Sequence, residues 1–147
     1  MIYPTQGKMT KKVNVKHITM VVGGYLYMIG LIVEGKSDVK KVKMVLKEEV
    51  HFVVLNGINF REEQINQINK AIDTCNRVYV LTDPDEAGDK VAELITKNFP
   101  KLERLKVDPN EAKVLKKRGY KYGVEYCSNK YLRTLFSSYI ELTSLIS

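Results

Sequence analysis

The stretch Val78-Tyr79-Val80-Leu81-Thr82-Asp83-Pro84-Asp85-Glu86-Ala87-Gly88 decides how the chain is read. Val78–Leu81 is an unbroken apolar run, the pattern of a strand buried on both faces. Pro84 has no N–H to give a ladder, so the strand stops before it. Asp83 and Asp85 are left at its carboxyl end, and a helical pattern begins near Gly88. In open α/β sheets that edge is where ligands bind. Two carboxylates this close repel one another unless a cation lies between them, and hard oxygen donors suit Mg²⁺. The plainer reading of a lone Asp-x-Asp is that it caps the following helix.

Working outward, strand and helix patterns alternate. Leu31-Ile32-Val33 reads as a buried strand ending in Glu34-Gly35-Lys36. Ser37 reads as the N-cap of a helix carrying Val39, Val42, Val45 and Leu46 to about Lys47. Phe52–Leu55 is a second strand, closed by Asn56-Gly57. A helix over Glu62–Thr74 follows, with Ile65, Ile68 and Ile72 on one face. Beyond the central strand comes a helix over Ala87–Asn98, with Val91, Leu94 and Ile95 inward, ended by Pro100. Leu102–Val107 is a fourth strand. A basic stretch then runs through Lys113–Lys121, with Tyr120 and Tyr122 interleaved, and a last helix covers Ser128–Tyr139. Short links between alternating elements predict a mainly parallel four-stranded sheet with helices on both faces, one domain over residues 28–147.

Residues 1–27 follow no such pattern. Ile18–Val22, Gly23-Gly24 and Tyr25–Ile29 are compatible with a hairpin. The uncharged run from Ile18 to Val33 is interrupted by glycines and short for a membrane span. A Gly-Gly pair can be encoded as a bacterial ribosome-binding sequence, and Gly23-Gly24 lies at suitable spacing before Met28. Translation starting at Met28, with residues 1–27 an over-read extension, is therefore an expectation. Peptides from residues 10–25 in native protein would overturn it.

Composition narrows the class. The net charge of +7 is uneven: residues 1–27 hold four lysines and no acid, residues 28–100 hold 10 basic and 12 acidic residues, and residues 101–147 hold 10 basic and 5 acidic. The centre suits a metal–carboxylate site and the C-terminal part suits a polyanion. Only two cysteines and two histidines are present, too few for a disulfide framework or a His-rich metal site. Cys75 and Cys127 read as buried thiols of a cytoplasmic protein.

Parallel topology brings the strand ends to one edge, so Glu34 joins Asp83 and Asp85 there. Three carboxylates from two strands are harder to explain as caps than one pair. A competing motif exists: Gly30-Leu31-Ile32-Val33-Glu34-Gly35-Lys36-Ser37 fits the phosphate-loop pattern of nucleotide triphosphatases. That loop must open its N–H groups to phosphate. Leu31-Ile32-Val33 is instead a strand core, whose exposure would cost roughly 1.5–3 kcal/mol per side chain.

Glu34-Gly35-Lys36-Ser37-Asp38, Asn56-Gly57 and Thr82-Asp83-Pro84-Asp85-Glu86-Ala87-Gly88 together resemble a Toprim domain, the Rossmann-like module of topoisomerases, bacterial primases and certain nucleases. Leu55-Asn56-Gly57, Leu81–Asp85 and Gly123-Val124-Glu125 look most like ribonuclease M-five, the maturase of bacterial 5S ribosomal RNA. Glu86-Ala87-Gly88 is closer to the primase and topoisomerase form. That ribonuclease also continues into a further RNA-binding region.

The resemblance implies a three-layer sandwich. It implies Glu34 as general acid/base that also touches metal, Asp83 and Asp85 as Mg²⁺ ligands, and hydrolysis of phosphodiesters in structured RNA. A stand-alone Toprim module that binds without catalysis is the alternative. RNA is favoured over DNA as partner, with a ribosomal protein or another RNA-binding protein beside it and no membrane. Lys36, Lys116, Lys117, Arg118 and Lys121 are the candidate nucleic-acid contacts, though Lys36 is equally a solvated lysine. Gly35, Asn56, Gly57 and Gly88 shape the site. Asp38 and Asp89 read as first-turn helix acids. Glu125 has no assigned role. Tyr120 and Tyr122 could stack on bases, with core packing an equal reading for Tyr122.

Overall fold

A computed structural model describes residues 20–22, 25–57 and 61–140. The apolar runs place β3 (Ile29–Val33), β4 (Val50–Val54) and β5 (Arg77–Leu81) in a parallel sheet, which the short polar β6 (Glu103–Arg104) completes in the order β4-β3-β5-β6. Val33 is level with both Val54 and Leu81, so the carboxyl ends of three strands lie flush. The chain runs from β3 outward to β4, then crosses to β5 on the other side. The topological switch point therefore falls between β3 and β5, where an open α/β sheet leaves a crevice.

Alternate residues of these strands feed two cores. Ile29, Leu31, Val33, Tyr79 and Leu81 pack against α1 (Lys36–Val45) and, through Leu132 and Phe136, against α4 (Asn129–Ser137). Ile32, Val53, Val78 and Val80 pack against α2 (Glu62–Thr74) and α3 (Glu86–Asn98). This is the expected three-layer sandwich. Cys75 and Cys127 are buried free thiols. β1 (Met20–Val22) and β2 (Tyr25–Tyr27) pair antiparallel as a separate ribbon. Gly23-Gly24, residues 1–19 and residues 141–147 lie outside the described residues.

Three local expectations change. Ser37 is not the N-cap of α1: Gly35 is, and the Asp38 carboxylate accepts the Gly35 N–H at 3.1 Å. Leu94 faces outward, 39% exposed, and the buried face of α3 is Gly88, Val91, Ala92 and Ile95. Only Glu103–Arg104 of the fourth strand pairs with β5. Beyond it the chain turns toward α4, where the hydroxyls of Tyr139 and Tyr131 accept the N–H groups of Lys106 and Asp108. The basic stretch is an antiparallel hairpin, β7 (Lys113–Lys116) and β8 (Gly119–Tyr122), with Gly119 at φ +111° in its turn.

The phosphate-loop reading fails on this backbone. Leu31, Ile32 and Val33 are fully buried strand residues and form no loop.

Candidate metal and phosphodiester site

Glu34 directly follows β3, and Asp83 stands two residues past the end of β5. The flush strand ends bring the Asp83 N–H to Glu34 Oε1 at 2.9 Å, which joins the two halves of the expected site. Asn56 N–H reaches the Glu34 carbonyl at 3.0 Å, so the third strand end is tied to the same point. Asn56 (φ +53°) and Gly57 (φ +126°) make the left-handed turn that ends β4. They form the turn at the carboxyl edge of the sheet.

The two aspartates of the loop behave differently. Asp85 does cap α3: its Oδ1 accepts the Gly88 N–H at 2.7 Å. A carboxylate has about four lone-pair positions, so the cap leaves acceptor capacity for a cation. Asp83 caps nothing. Its Oδ1 accepts the Val124 N–H at 2.8 Å, which connects β5 to the short 3-10 turn at Val124–Tyr126. Gly88 is required at its position, because a Cβ there would lie 1.9 Å from the Asp83 carbonyl oxygen. The buried Thr82 hydroxyl donates to the Gly88 carbonyl at 2.9 Å and closes the loop.

Charge in this crevice is predominantly negative. Burial raises the pKa of Glu34, and the charges of Asp83 and Asp85 raise it further, against the Asp83 N–H bond and Arg104. Asp83 is raised mainly by burial, then by Asp85 and Glu125, while the Val124 N–H and Lys121 pull it down. Asp38, only 7% exposed, is pushed to about 6 by burial and by Asp83, Glu34 and Glu125, with the Gly35 N–H opposing. Desolvated carboxylates that repel one another are a setting a divalent cation relieves.

Among the described residues, no group of three His, Cys, Asp or Glu side chains stands close enough to hold a metal by itself. Mg²⁺ does not need such a cage, since it usually keeps several waters and takes one or two carboxylates. Asp83 and Asp85 fit that donor set. Glu34, bonded to the Asp83 N–H, fits a proton-transfer role beside it.

Sequence reasoning missed Arg104. Its guanidinium donates to the Asp83 carbonyl at 3.1 Å and to Asp89 Oδ1 at 2.6 Å, so it braces the loop from β6. A lone arginine in an amphipathic stretch carries no signal of this. Asp38 and Glu125 join the acidic cluster electrostatically, which reading Asp38 as a first-turn helix acid did not show. Lys36 is the exposed first residue of α1. Lys121 acts electrostatically on Asp83, whereas Lys116, Lys117 and Arg118 are exposed at the hairpin's far end. Lys116 Nζ lies 5.6 Å from the ring centre of Tyr126. Tyr122 is half-buried and Tyr120 is exposed.

Comparison with known proteins agrees with this architecture. The sequence profile described as "Toprim domain" matches residues 31–117. Ribonuclease M5 of Mesoplasma florum is 32% identical over 114 residues, covering 75% of this chain and 61% of that protein. Ribonuclease M5 of Bacillus subtilis is 31% identical over 103 residues, covering 70% and 53%. The chain thus spans between half and two thirds of these relatives' length. A small TOPRIM domain protein from Bacillus stearothermophilus, of solved structure, superposes with a TM-score of 0.61 at 27% identity, covering 76% of this chain and 85% of that one. With profile, fold and strand-end carboxylates in agreement, the chain belongs to the Toprim domain family.

Proposed function

We propose that the chain is a Mg²⁺-dependent endoribonuclease of the Toprim kind, acting in the cytoplasm on structured RNA, with the 5S ribosomal RNA precursor as the substrate to try first. One observation carries the reading: the Asp83 N–H bond to Glu34 Oε1 at the switch point joins a proton-transfer carboxylate to the Asp83–Asp85 pair. The similarity to proteins named ribonuclease M5 supports RNA over DNA.

Asp83 and Asp85 would hold the ion. Bound there, Mg²⁺ supplies charge neutralisation at a phosphodiester and acidifies a water. Glu34 exchanges the proton, and its upward pKa shift from burial brings it toward the operating pH. The Asp83 N–H fixes Oε1 in place, and Arg104 fixes the Asp83 carbonyl. Lys36, Lys116, Lys117, Arg118 and Lys121 meet phosphates on either side. A ribosomal protein or another RNA-binding protein supplies further substrate contacts.

The experiment is cleavage of 5S precursor RNA with Mg²⁺, then with EDTA, beside Glu34→Gln and Asp83→Asn. EDTA-sensitive cleavage that each substitution lowers by about 100-fold or more is expected. A second reading, a stand-alone Toprim module that binds RNA without cutting it, is supported by the similarity to a small TOPRIM domain protein, 85% of which this chain covers. RNA binding with no EDTA-sensitive cleavage, unchanged in both variants, would establish that reading and remove the enzyme.

A further inference from the structure

The β7–β8 hairpin carries a feature that phosphate contacts do not explain. Leu115 and Tyr120 are directly opposite each other across its two strands. They are 68% and 56% exposed, so the pair forms an apolar platform in water. Lys113 Nζ stands 4.6 Å from the Tyr120 ring centre. Residues 113–122 contain Lys113, Lys116, Lys117, Arg118 and Lys121 and no acid. An aromatic–aliphatic platform ringed by cations is the composition of a surface for unpaired nucleotides: the ring stacks on a base and the cations meet the backbone. A protein ligand would have to be both apolar and strongly acidic to match the same surface.

The position of the hairpin gives the platform a purpose. Gly123, at the end of β8, donates its N–H to the Ala112 carbonyl at 2.9 Å and closes the hairpin's base. The next residue, Val124, is fully buried and donates its N–H to Asp83 Oδ1. The arm is therefore tied directly to a proposed metal ligand. Lys121, beside Tyr120, acts electrostatically on the same carboxylate. The base of the arm and the Asp83 carboxylate are thus joined through two adjacent residues, Gly123 and Val124.

We propose that the hairpin is a base-stacking arm in which Tyr120 and Leu115 receive one unpaired nucleobase of the RNA whose phosphate is held at the site. The preferred substrate class is then RNA with a bulged, looped or frayed nucleotide. This rests on the RNA reading above and sharpens it from structured RNA to a local unpaired base.

The test is binding of the full chain, in EDTA so that nothing is cleaved, to two RNA stems. One stem carries a single bulged 2-aminopurine and the other is fully paired. The bulged stem is expected to bind more tightly and its fluorescence to be quenched. Tyr120→Ala should weaken binding of the bulged stem about ten-fold, abolish the quenching and leave the paired stem unaffected. Tyr120→Phe should behave as the parent, and Leu115→Ala should fall between. Lys117→Ala should weaken both stems and lower the slope of log affinity against log salt by about 1, a change Tyr120→Ala should not make.

Both side chains are exposed, so the fold should survive, which circular dichroism checks. Equal binding of the two stems by parent and Tyr120→Ala, no RNA binding at all, or a change in self-association instead of RNA affinity would each overturn the arm. Cleavage that persists while Tyr120→Ala is silent removes the arm and keeps the nuclease. Stacking without any cleavage keeps the arm and removes the nuclease.

Discussion

At the residue scale, the site depends on Gly88 and Asp38, and neither bears on it in the way its residue type alone implies. A methyl group on Gly88 would collide with the Asp83 carbonyl, which also accepts from Arg104. Gly88→Ala should therefore destabilise the chain by roughly 3 kcal/mol, seen in denaturant unfolding, and weaken Mg²⁺ binding by displacing Asp83. Asp38 was legible as a first-turn acid of α1. Its burial near Asp83 and Glu125 was not, because those two groups are remote in sequence. Its pKa is about 6 when folded against 3.8 unfolded, so the folded state holds its proton more tightly. The stability this confers is present below about pH 4 and is lost as the pH rises through 6, roughly 2 kcal/mol in metal-free protein. Asp38→Asn keeps an acceptor for the Gly35 N–H and removes the titration. The parent's denaturant midpoint should fall relative to the variant's between pH 4 and pH 6.5.

At the element scale, a partly buried ion pair joins α4 to the segment that follows α1. Arg133 donates to Glu48 Oε1 at 3.1 Å and to the Val45 carbonyl at 3.0 Å, while Glu48 is only 5% exposed. Arg133→Met strips the guanidinium from a buried carboxylate and should cost about 3 kcal/mol by thermal or denaturant unfolding. Replacing Glu48 by Leu as well should recover most of the loss, since an apolar pair of similar volume often substitutes for a buried ion pair. The strands β3 and β5 were readable because burial on both faces demands continuous apolar runs, and β4 because Phe52–Leu55 is apolar although β4 is only partly buried. β6 was overextended because Leu105 and Val107 are buried like strand residues, yet the backbone beyond Arg104 follows the tyrosine hydroxyls of α4. The β7–β8 hairpin was unreadable because exposure on both faces replaced alternation with charge.

At the scale of the whole molecule, the acidic crevice predicts how the fold responds to metal. Glu34 and Asp83 have raised pKa values, so protons compete with the ion as the pH is lowered. Calorimetry of Mg²⁺ binding over a descending pH series should show affinity declining, with apparent heats that come to depend on the buffer's ionisation enthalpy as that competition sets in. At 100 times its dissociation constant, Mg²⁺ should stabilise the folded chain by about 2.7 kcal/mol and raise Tm by several degrees. Asp83→Asn and Asp85→Asn should each remove most of that gain. The readout needs no substrate, so it tests the metal site separately from any activity.

The amino-acid sequence by itself determined the parallel α/β class, the two-faced core and the identity of Glu34, Asp83 and Asp85. Apolar periodicity and the proline stop after Thr82 are local properties, and parallel connectivity then leaves strand ends at one edge. Only the tertiary structure decided what surrounds them: the Asp83 N–H on Glu34, the Val124 N–H on Asp83, the Arg104 brace and the buried Asp38. Two of these are backbone donors, which every sequence contains at nearly every position. The Arg104 brace depends on residues brought together from distant parts of the chain, and the raised pKa of Asp38 comes first from desolvation, which exists only once the crevice is formed.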